Sequence, residues 1–138
     1  MILLDAPLKF GRPTADNSAL ADLLQSWGVS LDKDLLLDMS PVGQLMGLGP
    51  EIALVSTYDT HPIVDEMKGT ATGFPLSRSL TVKSTDKTTV QKLFESSATS
   101  LATTKLDSPN VNPSDPNNKK GPLTIGAADL RWAPTPTS

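Results

Sequence analysis

His61 is the only histidine in the 138-residue chain, and it lies between Ser56 and Asp65, the other two residue types of a serine-histidine-aspartate triad. The serine nucleophile of α/β-hydrolases lies in a Gly-x-Ser-x-Gly turn, and the chain contains no such pattern. The alternative is that His61-Pro62 shapes the start of a short helix and that the imidazole forms a local hydrogen bond. Because proximity along a chain does not establish triad geometry, we favour this alternative and predict no catalytic residues.

Carboxylates form a second candidate site. Asp5, Asp38 and Asp59 each follow a predicted strand, which is where open α/β sheets place their ligand crevices. Converging carboxylate oxygens would bind a divalent cation, whereas single aspartates at such positions commonly cap turns and helix starts, and we favour capping. The chain has no cysteine and one histidine, which excludes thiolate sites and histidine-rich zinc sites. We therefore predict neither a metal nor a cofactor.

Arg78, between Ser77 and Ser79, is the side chain best suited to hold an anion. A guanidinium group binds carboxylate or phosphate through paired hydrogen bonds, although pairing with an acidic neighbour at the rim of the sheet is the alternative that we favour. The glycines of residues 43–49 match neither the phosphate-binding loop nor the dinucleotide-binding pattern, so we expect no nucleotide there. The candidate ligand- or partner-binding residues are Asp5, Asp59, His61 and Arg78.

Composition narrows the class of protein. The formal net charge is −3, with 12 lysines and arginines and no basic stripe, so we expect no nucleic-acid partner. Apolar residues make up 38% and aromatic residues 4% of the chain, which predicts a modest hydrophobic core. No stretch approaches the roughly 18 apolar residues of a membrane span, so any membrane attachment would come from segments outside this chain.

The first half of the chain alternates strands and helices. Residues 2–7 are a hydrophobic run that predicts a buried strand, and because the run starts without lead-in residues we expect the chain to be a piece of a longer protein. Apolar residues at helical spacing from Leu20 to Trp27, followed by Gly28, predict a helix that ends at this glycine. Further elements are predicted as strands at residues 35–37 and 52–57 and a short helix at residues 60–67.

The second half is richer in strands. Alternating apolar and polar residues predict a strand at residues 74–82. The serines and threonines of residues 90–97 and 100–106 favour a further pair of strands, and a helix that runs from the first segment into the second is the alternative, because the apolar spacing also suits it. An exposed loop at residues 107–121 and a last strand at residues 122–130 complete the order.

This order of elements predicts an α/β fold with a partial open, mostly parallel sheet and a β-rich C-terminal portion. We expect one domain over residues 1–131, in which residues 1–68 form the strand and helix part and residues 69–131 the β-rich part. Residues 132–138, rich in proline and threonine, are predicted to be a tail or linker.

Five short motifs along residues 2–130 resemble those of a known family. They are Leu3-Leu4-Asp5-Ala6-Pro7, a helix ending in Trp27-Gly28-Val29, Tyr58 followed by His61-Pro62-Ile63, Phe74-Pro75 followed by Arg78-Ser79-Leu80, and Gly121-Pro122 before a late strand. By these motifs and their order, the chain resembles the auxiliary component of ABC-type transport systems of uncharacterised cargo, of the gliding-motility type.

The resemblance implies an extracytoplasmic domain at the periplasmic face of the bacterial inner membrane, beside an ATPase and a permease. It also implies a flavodoxin-like or glutamine-amidotransferase-like α/β fold, of which this chain would hold the later part. Amidotransferase chemistry needs a cysteine nucleophile, which the chain lacks. The implied partners are the permease and ATPase subunits or another extracytoplasmic protein, and an exposed sheet edge would allow a homodimer.

These observations leave alternative functions open. The first, which we favour, is a non-catalytic extracytoplasmic interaction or recognition domain of an ABC-type transport system auxiliary protein. The second is a small-molecule or glycan-processing enzyme that uses the crevice lined by aspartates. A purely structural spacer, which would have neither a saturable ligand nor a partner, is the third.

Overall fold

The computed structural model of the chain describes residues 1–11 and 15–131, so the predicted tail at residues 132–138 lies outside the described residues. Two α-helices, α1 (Ser18–Ser26) and α2 (Pro41–Leu45), are accompanied by a 3-10 helix at Asp65–Met67. The strands in chain order are β1 (Val29–Leu31), β2 (Leu35–Asp38), β3 (Ile52–Val55), β4 (Thr72–Pro75), β5 (Leu80–Val82), β6 (Thr88–Glu95), β7 (Ser100–Thr103), β8 (Lys119–Lys120) and β9 (Thr124–Arg131). No helix in this part of the chain is long and apolar enough to cross a bilayer.

Strand pairing within the described ranges is antiparallel throughout. β1 pairs with β5, β3 with β4 and β6 with β9, while β7 lies between β2 and β8. The predicted α/β fold with a mostly parallel, flavodoxin-like or glutamine-amidotransferase-like sheet is therefore wrong. The chain forms a mostly antiparallel β structure with two short α-helices.

The positions and lengths of the helices explain this correction. Parallel neighbours need a crossover of roughly a dozen residues, usually a helix that covers the sheet. The helix with the strongest sequence signal, α1, precedes every strand and so connects none of them. The helices that do lie between strands have only 5 and 3 residues, and β4, the next strand after β3, pairs with it antiparallel.

In the first half, the structure confirms the predicted helix as α1 and the predicted strands at residues 35–37 and 52–57 as β2 and β3. The predicted end of the helix is also confirmed, because Gly28 follows α1 with a φ of 92°. The apolar stripe of α1 is nevertheless not buried, and Leu23 is 54% exposed. The predicted buried strand at residues 2–7 is wrong. Ile2 and Leu3 are exposed, and only Ala6 is buried, where its backbone N–H donates to the Leu76 carbonyl at 2.9 Å.

In the second half, the pair of strands predicted at residues 90–97 and 100–106 is confirmed as β6 and β7, so the helical alternative is wrong. The single strand predicted at residues 74–82 is divided into β4 and β5, because Leu76 between them takes a left-handed φ of 50°. The predicted exposed loop is confirmed except for the two residues of β8, and the predicted helix at residues 60–67 is limited to its last turn.

Most of the buried apolar side chains in the described residues form three small clusters. Phe94 packs beside the largest cluster, where its ring stacks on Phe74 at a centroid distance of 4.9 Å and meets the edge of Tyr58 at 5.9 Å. A Cβ on Gly126 would overlap the Phe94 ring, so a glycine lets β9 approach that ring closely. The buried members of the clusters are Val55, Tyr58, Val64 and Leu93; Leu36, Ala53 and Ala102; and Ala6, Leu35 and Leu106.

Candidate functional site

The structure does not bring the four predicted site residues together. Asp5 and Asp59 are exposed, and the backbone N–H of Asp59 donates to the Leu93 carbonyl at 2.8 Å. His61 accepts a local hydrogen bond at Nδ1 from the backbone N–H of Ile63 at 3.1 Å. Among the described residues, no hydrogen bond or ion pair joins any two of Asp5, Asp59, His61 and Arg78.

Neither Ser56 nor Asp65, the other members of the imagined triad, forms a side-chain hydrogen bond with the His61 imidazole in the described residues. Asp65 forms an ion pair with Lys68 at 3.0 Å, and this contact, with smaller contributions from nearby His61, lowers the pKa of Asp65. Ser56 is exposed and has no hydrogen bond to His61. The arrangement therefore supplies no general base for a serine nucleophile at this position.

Arg78 is held by backbone carbonyls. Its Nε donates to the Asp32 carbonyl at 2.8 Å and its Nη2 to the Leu31 carbonyl at 3.4 Å. Burial lowers the pKa of Arg78, while the nearby carboxylates of Asp34 and Asp32 act in the opposite direction. An arginine keeps its charge in proteins, so Arg78 contributes a fixed positive charge beside two carboxylates.

Those carboxylates belong to a partly buried polar cluster, which we call the acidic cluster: Asp32, Asp34, Ser79 and Lys119. Ser79 Oγ lies 2.5 Å from Asp34 Oδ2 and 2.8 Å from Asp32 Oδ2. Lys119 Nζ lies 2.7 Å from Asp34 Oδ2, 3.1 Å from Asp32 Oδ2 and 2.8 Å from Ser79 Oγ. Asp34 and Ser79 are fully or almost fully buried. With Arg78 nearby, two negative charges face two positive charges.

The backbone fixes this geometry. The Ser79 N–H donates to Asp34 Oδ1 at 2.8 Å, and the Asp32 N–H donates to the Ser79 carbonyl at 3.0 Å. Asp32 and Asp34 lie on either side of a bend at Lys33, and the side chains of both contact Ser79 Oγ. Thr81, two residues after Ser79, also reaches Asp32, with its Oγ1 at 3.0 Å from Oδ2.

Only part of the acidic cluster could have been predicted from the sequence. The Asp32-Lys33-Asp34 and Ser79-Leu80-Thr81 spacings could have indicated two polar faces on extended segments. Lys119 could not have been found, because it is 87 residues from Asp32 and lay in a segment predicted to be an exposed loop.

The acidic cluster is unsuited to nucleophilic chemistry. Lys119 would have to be neutral to take a proton from Ser79. Burial would lower the pKa of Lys119, but its hydrogen bonds and charge interactions with Asp34 and Asp32 outweigh burial and raise it. The ammonium group thus keeps its protons at neutral pH, and Ser79 Oγ is withdrawn from solvent. We interpret the cluster as a structural clamp.

Asp38 has a comparable structural role. Its Oδ1 accepts hydrogen bonds from the Ser40 N–H at 2.9 Å and the Ser97 hydroxyl at 2.7 Å. Its Oδ2 accepts one from the Leu54 N–H at 2.8 Å. The carboxylate therefore connects β2 with β3 and with the turn between β6 and β7, rather than facing a crevice. Within residues 1–11 and 15–131, no group of three or more His, Asp or Glu side chains is placed to hold a metal ion.

An exposed apolar surface surrounds α2. Residues 39–50 contain no charged residue. Val42, Leu45 and Met46 have the i, i+3, i+4 spacing of one helix face, and they are 56%, 88% and 59% exposed. Gly43 is the buried residue of α2, whereas these three side chains are in solvent. We call Val42, Leu45 and Met46 the α2 apolar face.

This mostly antiparallel β protein, with its structural polar clamps and its exposed apolar helix face, was compared with known proteins. No protein-family model, no curated protein and no solved structure matches the chain.

Proposed function

We propose that the chain is a non-catalytic recognition domain that binds a protein partner through the α2 apolar face, in the extracytoplasmic part of an ABC-type transport system auxiliary protein. The observation that carries the recognition role is the exposure of Val42, Leu45 and Met46 on one uncharged segment. The motifs that resemble the transport auxiliary component support the assignment to a transport system and to the periplasmic face of the inner membrane.

Burial of the α2 apolar face by a partner would be favourable in free energy. Complete burial of a leucine, valine or methionine side chain contributes roughly 1.5–3 kcal/mol. Methionine side chains also adapt to irregular surfaces, which suits Met46 to a partner's contour. Single exposed apolar residues need no explanation, but three on one face of a helix mark an interaction site.

The chemistry of the segment favours a protein over a membrane surface. Peripheral helices that bind anionic lipid carry lysines and arginines beside the apolar face. Residues 39–50 have none, and the chain as a whole has a net charge of −3. The proposed partner is accordingly a permease subunit or another extracytoplasmic protein with an apolar surface.

Two features support a non-catalytic role. The polar side chains of the acidic cluster and of Asp38 are bound to one another, to neighbouring side chains or to the backbone. Asp5, Asp38 and Asp59 form no mutual contact in the described residues, so no observation favours the alternative of an enzyme with a crevice lined by aspartates.

A homodimer through a sheet edge remains a prediction. β8 is an edge strand of the sheet that contains β2 and β7, and it consists of Lys119 and Lys120. Lysines on an edge strand oppose pairing with another chain, so a dimer would use a different edge. Light scattering of the purified chain at increasing concentration measures whether such a dimer forms.

The experiment is a binding titration against the purified extracytoplasmic segments of the proposed permease partner. The double variant Leu45→Ser/Met46→Ser changes two exposed side chains and should leave the circular dichroism spectrum and the unfolding midpoint unchanged. We expect the dissociation constant to rise at least about tenfold, which corresponds to 1.4 kcal/mol. Ile63→Ser is the control, because Ile63 is 64% exposed but lies outside the segment. Equal dissociation constants for the double variant and the native chain would refute the proposal.

A further inference from the structure

Residues 104–118 connect β7 to β8, and we call them the strap. At its near end Leu106 is buried against Ala6 and Leu35, and its carbonyl accepts a hydrogen bond from the Lys9 N–H at 2.8 Å. Beyond Leu106 the attachment ends. Where the structure describes the chain, no hydrogen bond or ion pair joins residues 107–118 to any residue outside the strap, and none of these residues is buried.

The strap is held together by its own polar contacts. Asp115 Oδ2 pairs with Lys105 Nζ at 2.8 Å, and the Asn112 carbonyl accepts hydrogen bonds from Asn118 Nδ2 at 2.9 Å and from the Asp115 N–H at 3.1 Å. The hydrogen bond from Lys105 lowers the pKa of Asp115 and raises the pKa of Lys105, so both groups stay charged at neutral pH. The strap can therefore move as one unit.

The far end of the strap is attached through β8. This edge strand has only two residues, and the Gly121 N–H adds one hydrogen bond to the Ser100 carbonyl at 2.8 Å. The strongest attachment is the Lys119 ammonium, which contacts three oxygens of the acidic cluster. The Lys119 side chain is 43% exposed, so water and salt ions reach this contact.

We propose that Lys119 is an electrostatic latch, whose release lets the strap and β8 swing away from β7. The opened form would uncover Ser79 and Asp34, which the closed form buries. Arg78 would remain beside the two carboxylates and offset part of their charge, so the β1–β2 link and β5 would stay in place. This conformational device is independent of the α2 apolar face and goes beyond the proposed function.

The test is amide hydrogen exchange, measured residue by residue by NMR on the whole chain. Gly121, whose N–H donates to the Ser100 carbonyl at 2.8 Å, reports the far end of the strap, and Leu36, whose N–H donates to the Ser77 carbonyl at 2.9 Å, reports the core. Salt at 1 M reduces the screening length to about 3 Å and weakens the Lys119–Asp32 ion pair, whose side chains are 43% and 24% exposed. Between 0.05 M and 1 M sodium chloride we expect exchange at Gly121 to accelerate about threefold or more, with Leu36 unchanged.

A pair of variants isolates the charge of Lys119. Lys119→Gln should give fast exchange at Gly121 at both salt concentrations, whereas Lys120→Gln, in the same strand with an exposed side chain, should behave as the native chain does. The latch is refuted if salt leaves the Gly121 rate in the native chain unchanged, or if Gly121 exchanges at the same rate in the two variants. Should Lys119→Gln fail to fold, the salt dependence of the native chain decides alone.

Discussion

Replacing Asp38 with alanine should be the most damaging single change among the aspartates singled out from the sequence. The substitution removes a carboxylate that accepts three hydrogen bonds, two of them from the backbone N–H groups of Ser40 and Leu54. Ser40 and Leu54 are both buried, so water cannot replace the lost acceptor. Each buried N–H group that is left without an acceptor lowers the free energy of unfolding by about 1–3 kcal/mol. We expect the free energy of unfolding to fall by about 3–5 kcal/mol.

Urea unfolding followed by far-ultraviolet circular dichroism measures this loss. With a denaturant slope of about 1–3 kcal/mol per molar, the midpoint should fall by roughly 2 M. Asp59→Ala is the matched control, because Asp59 is exposed, and it should change the free energy of unfolding by less than about 0.5 kcal/mol. Asp38→Asn, which keeps one carbonyl acceptor, should fall between the two. A loss below about 1 kcal/mol for Asp38→Ala would refute the structural role.

Two further substitutions test the packing of particular residues. Both carboxylate oxygens of Asp129 are buried without a hydrogen-bond partner in the described residues, and this burial raises the pKa of Asp129. The folded state then holds the proton more tightly than the unfolded state, so the cost is absent at low pH and grows as pH rises through the raised pKa. Asp129→Asn should therefore stabilise the chain by about 1 kcal/mol at pH 7 and by nothing measurable near pH 3, and no gain at pH 7 in urea titrations would contradict this. Gly28→Ala should destabilise the chain by about 2 kcal/mol or more, since Gly28 has a φ of 92° and a Cβ would overlap the Lys83 carbonyl. Gly69→Ala, with a φ of 83° and open space around the Cβ, should cost about 1 kcal/mol, and equal costs for the two would refute the close approach.

Local patterns in the sequence predicted individual elements well. Helix α1 followed from its apolar spacing, and its end followed from Gly28, because glycine adopts a positive φ without steric cost. β6 and β7 followed from their serines and threonines. These properties depend on neighbours within a few residues, so a sequence alone carries them.

Pairing between strands could not be predicted in the same way. The alternation of strands and helices in the sequence suggested that helices connect parallel neighbouring strands. Helix α2 is too short for such a connection, and β2 instead pairs antiparallel with β7, which is distant in sequence. Residues 2–7 looked like a core strand because apolar character alone does not reveal whether a partner strand is present. The acidic cluster depends on the same long-range contacts, since Lys119 completes it from the end of a loop.

The central claim is that the α2 apolar face binds a protein partner in the transport assembly. The chain has no cysteine, so Leu45→Cys in this chain gives one attachment point for a photoreactive benzophenone, and Ile63→Cys gives the matched control. Illumination of membranes that contain the permease and ATPase should crosslink position 45 to a protein subunit of that system, with little product from position 63. Equal yields from the two positions, or products at position 45 that contain only lipid, would contradict the claim.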